Sequence, residues 1–269
     1  MTAAVQEAIL VEPRRRGTLI AFCLAQPLGV ASLVAIVAMA VAGLLAERVA
    51  PFDPLAIDFA AMLAAPSLEH PFGTDAFGRD ILSRVIYGAR TALSIGFLSS
   101  LFGCSLGAVV GVASAYFGGR IDLIVQRFVD VLLSFPIIVL AIVVVAMLGR
   151  AQLVGFDFNL IAAIAIPIIP KVARVVRSAG LAIREMPYID AARAAGYGHT
   201  RIIFRHMVPN VSAPFLIMFT AFIAQAILLE ASLSFLGLGV TEPTPAWGLM
   251  LSGNASDFYR EAPWMILFP

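Results

Sequence analysis

"YIDAARAAGYGHTRIIFRHMVPN", residues 188–210, is a polar and basic insert between two apolar runs of the chain. It carries Arg193, Arg201 and Arg205, and Gly196 interrupts it. An apolar run of roughly 20 residues is long enough to cross a bilayer. The insert is therefore predicted to lie at a membrane surface and to join two spans.

The composition is that of a protein with several membrane spans. Hydrophobic residues make up 61% of the 269 residues and charged residues only 13%, whereas soluble domains carry about 25% charged residues. The formal net charge is +1, so the overall charge gives no reason to expect nucleic acid as a partner. The lipid bilayer is the expected environment.

Uncharged runs predict the spans. Four of them are long enough, or nearly so, to cross a bilayer: Gly17–Ala46, Thr91–Gly119, Val131–Gly149 and Met207–Leu229. Phe158–Pro170 reaches only roughly 20 Å as a helix, so this span is expected to continue into the residues that follow. A sixth apolar run begins at Ala262, and we expect the sequence to be cut short within it.

The distribution of basic residues predicts the orientation. If the N-terminus is cytoplasmic and the spans alternate, about two thirds of the 18 Lys and Arg residues fall in cytoplasmic segments. Basic residues are enriched on that side of bacterial membranes. The insert is therefore predicted to be cytoplasmic.

The insert itself is predicted to form two short helices. Pro187 suits the first turn of a helix, and the alanine-rich stretch Tyr188–Ala195 favours helix. Gly196 can end that helix in left-handed geometry. Thr200 is predicted to cap a second helix, Arg201–Val208, which ends before the fifth span.

The insert resembles the cytoplasmic coupling loop of ABC importer permeases, whose pattern is Glu-Ala-Ala, three residues, Gly, nine residues, Ile, one residue and Leu-Pro. The matching residues are Asp190, Ala191, Ala192, Gly196 and Pro209. The sequence departs from the pattern by having Asp190 for Glu, His206 for Ile and Val208 for Leu. In that family the loop contacts a separate ATPase subunit.

Two further stretches resemble the C-type permease subunits for dipeptides, oligopeptides and nickel: residues 70–96 and 230–251. The resemblance implies an all-helical membrane bundle with the type I importer fold, a cytoplasmic N-terminus and six spans. It implies an N-terminal region, residues 1–88, with the first span and an external loop. A core domain, residues 89–269, would include the coupling loop, residues 185–209.

The resemblance also implies partners and a mechanism. The chain is expected to be one permease subunit that moves di- or oligopeptides by alternating access. Expected partners are a second, homologous permease, two cytoplasmic ATPases and an external solute-binding protein. ATP and Mg²⁺ are expected in the ATPases, since the chain lacks a phosphate-binding Gly-x-x-x-x-Gly-Lys-Ser/Thr loop. Its three histidines, His70, His199 and His206, do not form a metal cluster, and no nucleophile–base pair stands out. The chain is therefore expected to be neither an enzyme nor a metal-binding protein. The residues expected at the ATPase are Asp190, Ala191, Ala192, Arg193, Gly196, Arg201, Arg205 and Pro209.

A cluster of charged and polar residues precedes the second span. Its members are Thr74, Asp75, Arg79, Asp80 and Arg84. Asp80 and Arg84 are four residues apart and are predicted to pair on a helix. The cluster is interpreted either as a docking site for the external binding protein or as a self-satisfied elbow that braces the first two spans.

Candidate gate residues lie near the ends of other spans. Arg127 and Asp130 are predicted to pair on one helix face at the start of the third span. Glu230 is placed near the outer interface, either as a gate or as an acid paired with arginine or backbone N–H groups. A basic stripe with a spacing of three residues is predicted to face lipid headgroups or the ATPase. Its members are Lys171, Arg174 and Arg177.

Glycine and proline predict how the spans pack and bend. Gly103, Gly107 and Gly111 recur every four residues and form a face for close helix packing. Pro167 and Pro170 are predicted to kink the fourth span.

Two other function classes compete with the importer hypothesis. An ion-coupled secondary transporter or channel would need ionisable residues near the bilayer midplane, and the first, second, third and fifth runs have uncharged centres. A membrane scaffold or receptor component would not need the coupling pattern.

Overall fold

Helices dominate the computed structural model, which describes residues 25–149, 152–153, 156–253 and 257–269. The α-helices in chain order are α1 (Pro27–Leu44), α2 (Ala46–Val49), α3 (Ile81–Phe117), α4 (Gly119–Leu133), α5 (Ile137–Leu148), α6 (Phe158–Ala165), α7 (Ile169–Arg184), α8 (Pro187–Ala194), α9 (His199–Ile202), α10 (Val208–Phe235), α11 (Trp247–Met250) and α12 (Trp264–Leu267). A 3-10 turn covers Phe59–Ala61, and a π turn covers Ile203–Met207. Two short strands, β1 (Gln152–Leu153) and β2 (Phe156–Asp157), pair antiparallel. The predicted all-α class is confirmed apart from this hairpin.

Several helices are long and apolar enough to cross a membrane. Three qualify alone: α1, α3 and the continuous helix from His199 to Phe235. The bent pairs α4–α5 and α6–α7 raise the number to five if each pair is one span. This confirms the predicted polytopic helix bundle among the described residues.

The second span begins earlier than predicted, at Ile81 rather than Thr91. The carboxylate of Asp80 accepts a hydrogen bond from the backbone N–H of Ser83 and so caps the first turn. With 37 residues, α3 is roughly 55 Å long. It therefore extends beyond a hydrocarbon layer of about 30 Å.

The predicted third span, Val131–Gly149, is wrong in its first part. Residues 131–133 belong to α4, and α5 starts at Ile137 after a bend of 95°. Pro136 lies at the bend. It disfavours helical geometry in the residue before it, which ends α4.

The fourth span is kinked as predicted. Helices α6 and α7 meet at 46° across residues 166–168. Pro167 lies in the break and Pro170 in the first turn of α7, where the missing N–H costs no helical hydrogen bond.

The glycine face of α3 packs against α7. A Cβ atom added at Gly107 would lie 2.7 Å from the carbonyl oxygen of Ile169 and 2.8 Å from Cβ of Val172. Gly103 and Gly111 make equally close approaches to the same span. The predicted small-residue face therefore exists, and it joins helices of the same chain.

A short helix, α12, lies where the sixth span was predicted to begin. Met265 is buried in a small cluster with Ala76 and Ile81. The indole Nε1 of Trp264 donates a hydrogen bond to the carbonyl oxygen of Thr74 at 3.1 Å. These contacts fix the last described residues against the segment that precedes α3.

Candidate functional site

The first half of the insert is the helix α8, as predicted. Pro187 occupies its first turn. Gly196 has φ = +75° and ends the helix, because left-handed geometry costs glycine little. The N–H of Tyr197 then donates to the carbonyl oxygen of Ala192 at 3.1 Å, which satisfies one of the free carbonyls at the helix end.

The second half differs from the prediction. Helix α9 starts at His199 with Gly198 before it, so Thr200 lies inside the helix and does not cap it. α9 continues through the π turn into α10 without a break. The predicted separate helix Arg201–Val208 is therefore the beginning of the fifth span.

Pro209 lies in the first turn of α10, at the start of the fifth span as predicted. It is the second residue after the π turn, and it has no N–H to donate to the preceding turn. The fifth span also continues past its predicted end at Leu229 and stops at Phe235.

Four side chains attach the insert to the helix bundle. They are fully or almost fully buried: Ile189, Ala192, Ile202 and Met207. They belong to the same core cluster as residues of α3 and α7. Packed atoms rather than a flexible tether therefore join α8 to the spans.

Most predicted contact residues face outward. The exposed ones are Asp190, Ala191, Arg193, Gly196, Arg201, Arg205 and Pro209, whereas Ala192 is buried. Arg193 donates to Asp190 at 2.9 Å, and the guanidinium of Arg201 lies 4.0 Å above the ring of Tyr197. The structure thus pairs Arg193 with Asp190, leaves the other predicted contact residues exposed, and gives Ala192 a packing role.

Two polar contacts reach the end of α3, one from the insert and one from the last residue of α7. The hydroxyl of Tyr116 lies 2.7 Å from Nδ1 of His199, and Arg184 donates to the carbonyl oxygen of Ala115 at 3.1 Å. Sequence reasoning missed all of these residues. Tyr116 and His199 are 83 positions apart, and neither lies in a motif that would have paired them.

At the other end of α3, the charged cluster is satisfied within the chain. Asp75 accepts hydrogen bonds from the N–H groups of Phe77 and Arg79 and from Nε of Arg79 at 2.6 Å. Arg79 also donates to Glu242 at 2.8 Å. Burial lowers the pKa of Arg79, but the contacts with Glu242 and Asp75 outweigh it and raise this pKa above its ordinary value.

Arg84 joins the same network. It is 1% exposed, donates to the carbonyl oxygen of Pro54 at 3.1 Å, and lies 3.9 Å from Asp75 and 3.7 Å from Glu242. Glu242, which sequence reasoning missed, thus connects the segment after α10 to the start of α3.

The predicted Asp80–Arg84 pair does not form. Asp80 instead caps α3, accepts from the hydroxyl of Ser83 at 2.7 Å and lies 2.9 Å from Nδ1 of His70. Thr74 is buried and donates to the carbonyl oxygen of Ala61 at 2.5 Å. These contacts within the chain favour the interpretation of the cluster as an elbow that stabilises the start of α3. Docking of a binding protein at this cluster stays a prediction.

The predicted Arg127–Asp130 pair does not form either. Asp130 pairs with Arg174 of α7, whereas Arg127 is exposed. The neighbouring Asp122 accepts two hydrogen bonds of 2.5 Å from Arg177. Both arginines of the predicted basic stripe therefore hold α4 against α7.

Glu230 is fully buried within the chain, and its position near the outer interface stays a prediction. Its Oε1 accepts a hydrogen bond from the hydroxyl of Ser234 at 2.6 Å, and Ser234 in turn accepts from the N–H of Val240 at 3.0 Å. Oε2 has no hydrogen-bond partner among the described residues. The expected arginine or backbone partner is thus replaced by one hydroxyl group.

Known proteins resemble the chain over most of its length. The family model for the binding-protein-dependent transport system inner membrane component matches residues 105–268. The dipeptide transport system permease protein DppC of Alkalihalophilus pseudofirmus is 44% identical over 207 residues, which are 77% of this chain and 66% of that protein. The chain thus spans slightly less than two thirds of that relative.

A second relative and a solved structure agree with this match. The glutathione transport system permease protein GsiD of Pectobacterium atrosepticum is 39% identical over 83% of this chain and 73% of that protein. A structure of the inward-facing MetNI methionine ABC transporter superposes with a TM-score of 0.51 at 20% identity, covering 68% of this chain and 88% of that one. The structural match supports the predicted type I importer fold.

Proposed function

Since the chain belongs to the family of binding-protein-dependent transport system inner membrane components, we propose that it is one permease subunit of an ATP-driven importer of di- or oligopeptides. Relatives named for dipeptide and for glutathione transport support short peptides as the substrate class. The proposed location is the bacterial cytoplasmic membrane. The proposed partners are a second permease, two ATPases and an external solute-binding protein.

The observation that carries the proposal is the construction of the insert. One face of α8 is buried in the core through Ile189 and Ala192, while the residues between them and around them are exposed. A loop with no mechanical role needs no such attachment. A loop that is pushed by an ATPase needs a rigid connection to the spans on one side and a free surface on the other.

The proposed mechanism follows this connection. ATP binding closes the two ATPases, and each coupling loop, residues 185–209 in this chain, moves with the ATPase that it contacts. The packed contacts of Ile189, Ile202 and Met207 transmit the movement to α3, α7 and α10. The spans then reorient, and substrate enters from the binding protein.

The chemistry of ATP hydrolysis is assigned to the partners. The full sequence lacks the glycine-rich phosphate-binding loop with its lysine. ATP and Mg²⁺ are therefore proposed to bind the ATPase subunits, and this chain supplies only the coupling surface and part of the pathway.

The two ends of α3 are assigned to opposite sides of the membrane. The end near Tyr116 contacts the insert and is placed in the cytoplasm, in line with the distribution of basic residues. The end near Arg79 and Glu242 then faces outward. A gating role of Arg127, Asp130 and Glu230 stays a prediction, since Asp130 is paired with Arg174 and Glu230 accepts a hydrogen bond from Ser234.

Co-purification tests the coupling role. The tagged chain is expressed in its source bacterium, extracted in mild detergent and compared with the variant Asp190→Arg, Ala191→Arg. Both positions are exposed on α8, and Gly196 is left intact because a side chain at φ = +75° would strain the turn. The control variant Leu68→Arg, Glu69→Arg makes the same charge change on exposed residues of the outer loop.

We expect the second permease to remain with all three preparations and the ATPases to be lost only from the α8 variant. If the ATPases co-purify with all three preparations, the ATPase contact lies outside α8. Absence of ATPases from every preparation that keeps its membrane partner would favour an ion-coupled transporter. Uptake of labelled dialanine, measured against labelled methionine in proteoliposomes of the complete complex, tests the substrate class.

A further inference from the structure

Helix α4 presents an apolar stripe to the outside of the bundle. Its four members follow one another at spacings of three and four residues and are between 53% and 70% exposed: Ile121, Ile124, Phe128 and Val131. Two half-exposed phenylalanines, Phe117 and Phe135, flank the helix at its two ends. Such spacing places the four side chains on one face of an α-helix.

The opposite face of α4 is fixed to the bundle. Asp122 pairs with Arg177, Asp130 with Arg174, and Gln126 donates to the hydroxyl of Ser114 at 3.1 Å. Val129 is buried on the same side. These contacts set the rotation of α4 about its axis, so the apolar stripe is held away from the other helices of the chain.

Two arginines border the stripe. At about 100° per residue, Arg120 and Arg127 both lie roughly 60–80° to one side of its centre. Both are exposed, and Leu123, 59% exposed, continues the apolar surface beyond them. Long side chains in this position can extend from an apolar surface to a polar layer. Because both acids of α4 are paired with α7, the border is basic.

The direction of α4 suits a membrane surface. It meets the apolar helix α5 at 95°, so it runs roughly along the membrane plane where α5 enters the bilayer. Only Gly118 separates it from the end of α3, where Tyr116 contacts His199 of the insert. α4 therefore lies on the same side of the bundle as the insert.

We propose that α4 is an interfacial helix that binds anionic phospholipid in the leaflet on the side of the insert. The stripe contacts the acyl chains, and Arg120 and Arg127 contact the lipid phosphates. Amphipathic helices with basic residues beside an apolar face bind membranes in this way. The alternative occupant of the stripe, the second permease, is an outcome of the test below. The proposal depends on membrane insertion but not on the identity of the transported substrate.

Spin labels test the position of the stripe. Single cysteines replace Ile124 or Phe128 in a chain with Cys23→Ser and Cys104→Ala, and the complete complex is placed in nanodiscs. Glu69→Cys, in the exposed outer loop, is the water-facing reference. We expect labels on the stripe to collide with dissolved oxygen in preference to a water-soluble nickel chelate, and the reference label to show the reverse. Immobile labels shielded from both reagents, with cross-links to the second permease, would overturn the proposal.

Lipid preference tests the arginines. The variant Arg120→Gln, Arg127→Gln is compared with Arg48→Gln, Arg260→Gln, which removes the same charge from exposed residues elsewhere. Binding of spin-labelled phosphatidylglycerol relative to phosphatidylcholine is measured at low salt in the complete complex. We expect the preference to fall about fivefold for each arginine lost from α4 and to stay unchanged in the control. An unchanged preference in both variants contradicts anionic lipid binding at α4, whatever the outcome for the ATPase contact.

Discussion

The hydroxyl of Tyr116 and Nδ1 of His199 lie 2.7 Å apart and join the end of α3 to the first turn of α9. The contact connects the longest helix of the bundle to the insert that is proposed to meet the ATPase. If the insert moves, this contact would couple the movement of α9 to that of α3.

Tyr116→Phe should weaken this connection. The ring and its packing remain, but the hydrogen bond is lost, which costs about 1 kcal/mol. We expect the ATPases to stay bound and substrate uptake to fall more than ATP hydrolysis in proteoliposomes. Tyr87→Phe, near the other end of α3, is the control and should change neither rate. Equal falls in uptake and hydrolysis for Tyr116→Phe would instead indicate a general loss of folding.

Gly107→Ala should separate α3 from α7. The added methyl group would lie 2.7 Å from the carbonyl oxygen of Ile169, and overpacking of this kind costs about 1–3 kcal/mol. The thermal unfolding midpoint in detergent should fall. Gly198→Ala adds the same group where nothing lies within 4 Å, so its midpoint should stay close to that of the wild type. Similar midpoints for the two variants would contradict close packing at Gly107.

Asp122 and Arg177 should behave as a coupled pair. Replacing either residue alone with Ala leaves the other, partly buried charge without its partner. The double variant should therefore lose less stability than the sum of the two single losses. A coupling free energy of about 1 kcal/mol is expected from a double-mutant cycle on thermal stability. Additive losses would show that the pair contributes no interaction of its own. Arg48 and Glu69, which are exposed at other sites, provide an uncoupled control cycle.

Ser234→Ala should destabilise the outer end of α10. It removes the hydroxyl that donates to the buried carboxyl group of Glu230 and accepts from Val240, at an expected cost of about 1–3 kcal/mol. Ser232→Ala removes an exposed hydroxyl that bonds only within its own helix and should be nearly neutral. The thermal unfolding midpoints of the two variants are compared. Equal midpoints would show that the hydrogen bond between Ser234 and Glu230 does not stabilise the protein.

Glu242→Gln should loosen the outer network. Arg79 and the buried Arg84 lose their shared anionic partner, and truncating one member of such a network is destabilising by about 1–3 kcal/mol. Glu69→Gln, on an exposed residue of the segment that precedes α3, is the control with the same chemical change. Hydrogen exchange of residues 72–84 should rise in the first variant and not in the second. Unchanged exchange would show that Asp75 alone holds the arginines.

Sequence patterns predicted the features that depend on neighbouring residues. The spacing of Gly103 and Gly107, the prolines at the kink of the fourth span and Gly196 at the end of α8 all act through local backbone geometry. Pro136 carries the same kind of signal, and it could have located the bend between α4 and α5.

The features that sequence reasoning missed depend on which distant groups meet. Arg79 and Glu242 are 163 positions apart, and Arg177 and Asp122 are 55 apart. The chain has 18 basic and 17 acidic residues, so many pairings satisfy charge equally well. Local spacing therefore favoured Asp80–Arg84 and Arg127–Asp130, whereas packing of the helices brought other partners together.

The π turn Ile203–Met207 sets the rotational phase between α9 and α10. A π turn holds one more residue than an α turn, so closing it into α-helix would rotate α9 about the axis of α10 by roughly 100°. His199 would then leave Tyr116. The fifth span thus contains a single-residue register shift on which the alignment of the insert with α3 depends, and deleting one residue there should disconnect the two while leaving every buried side chain of α10 in place.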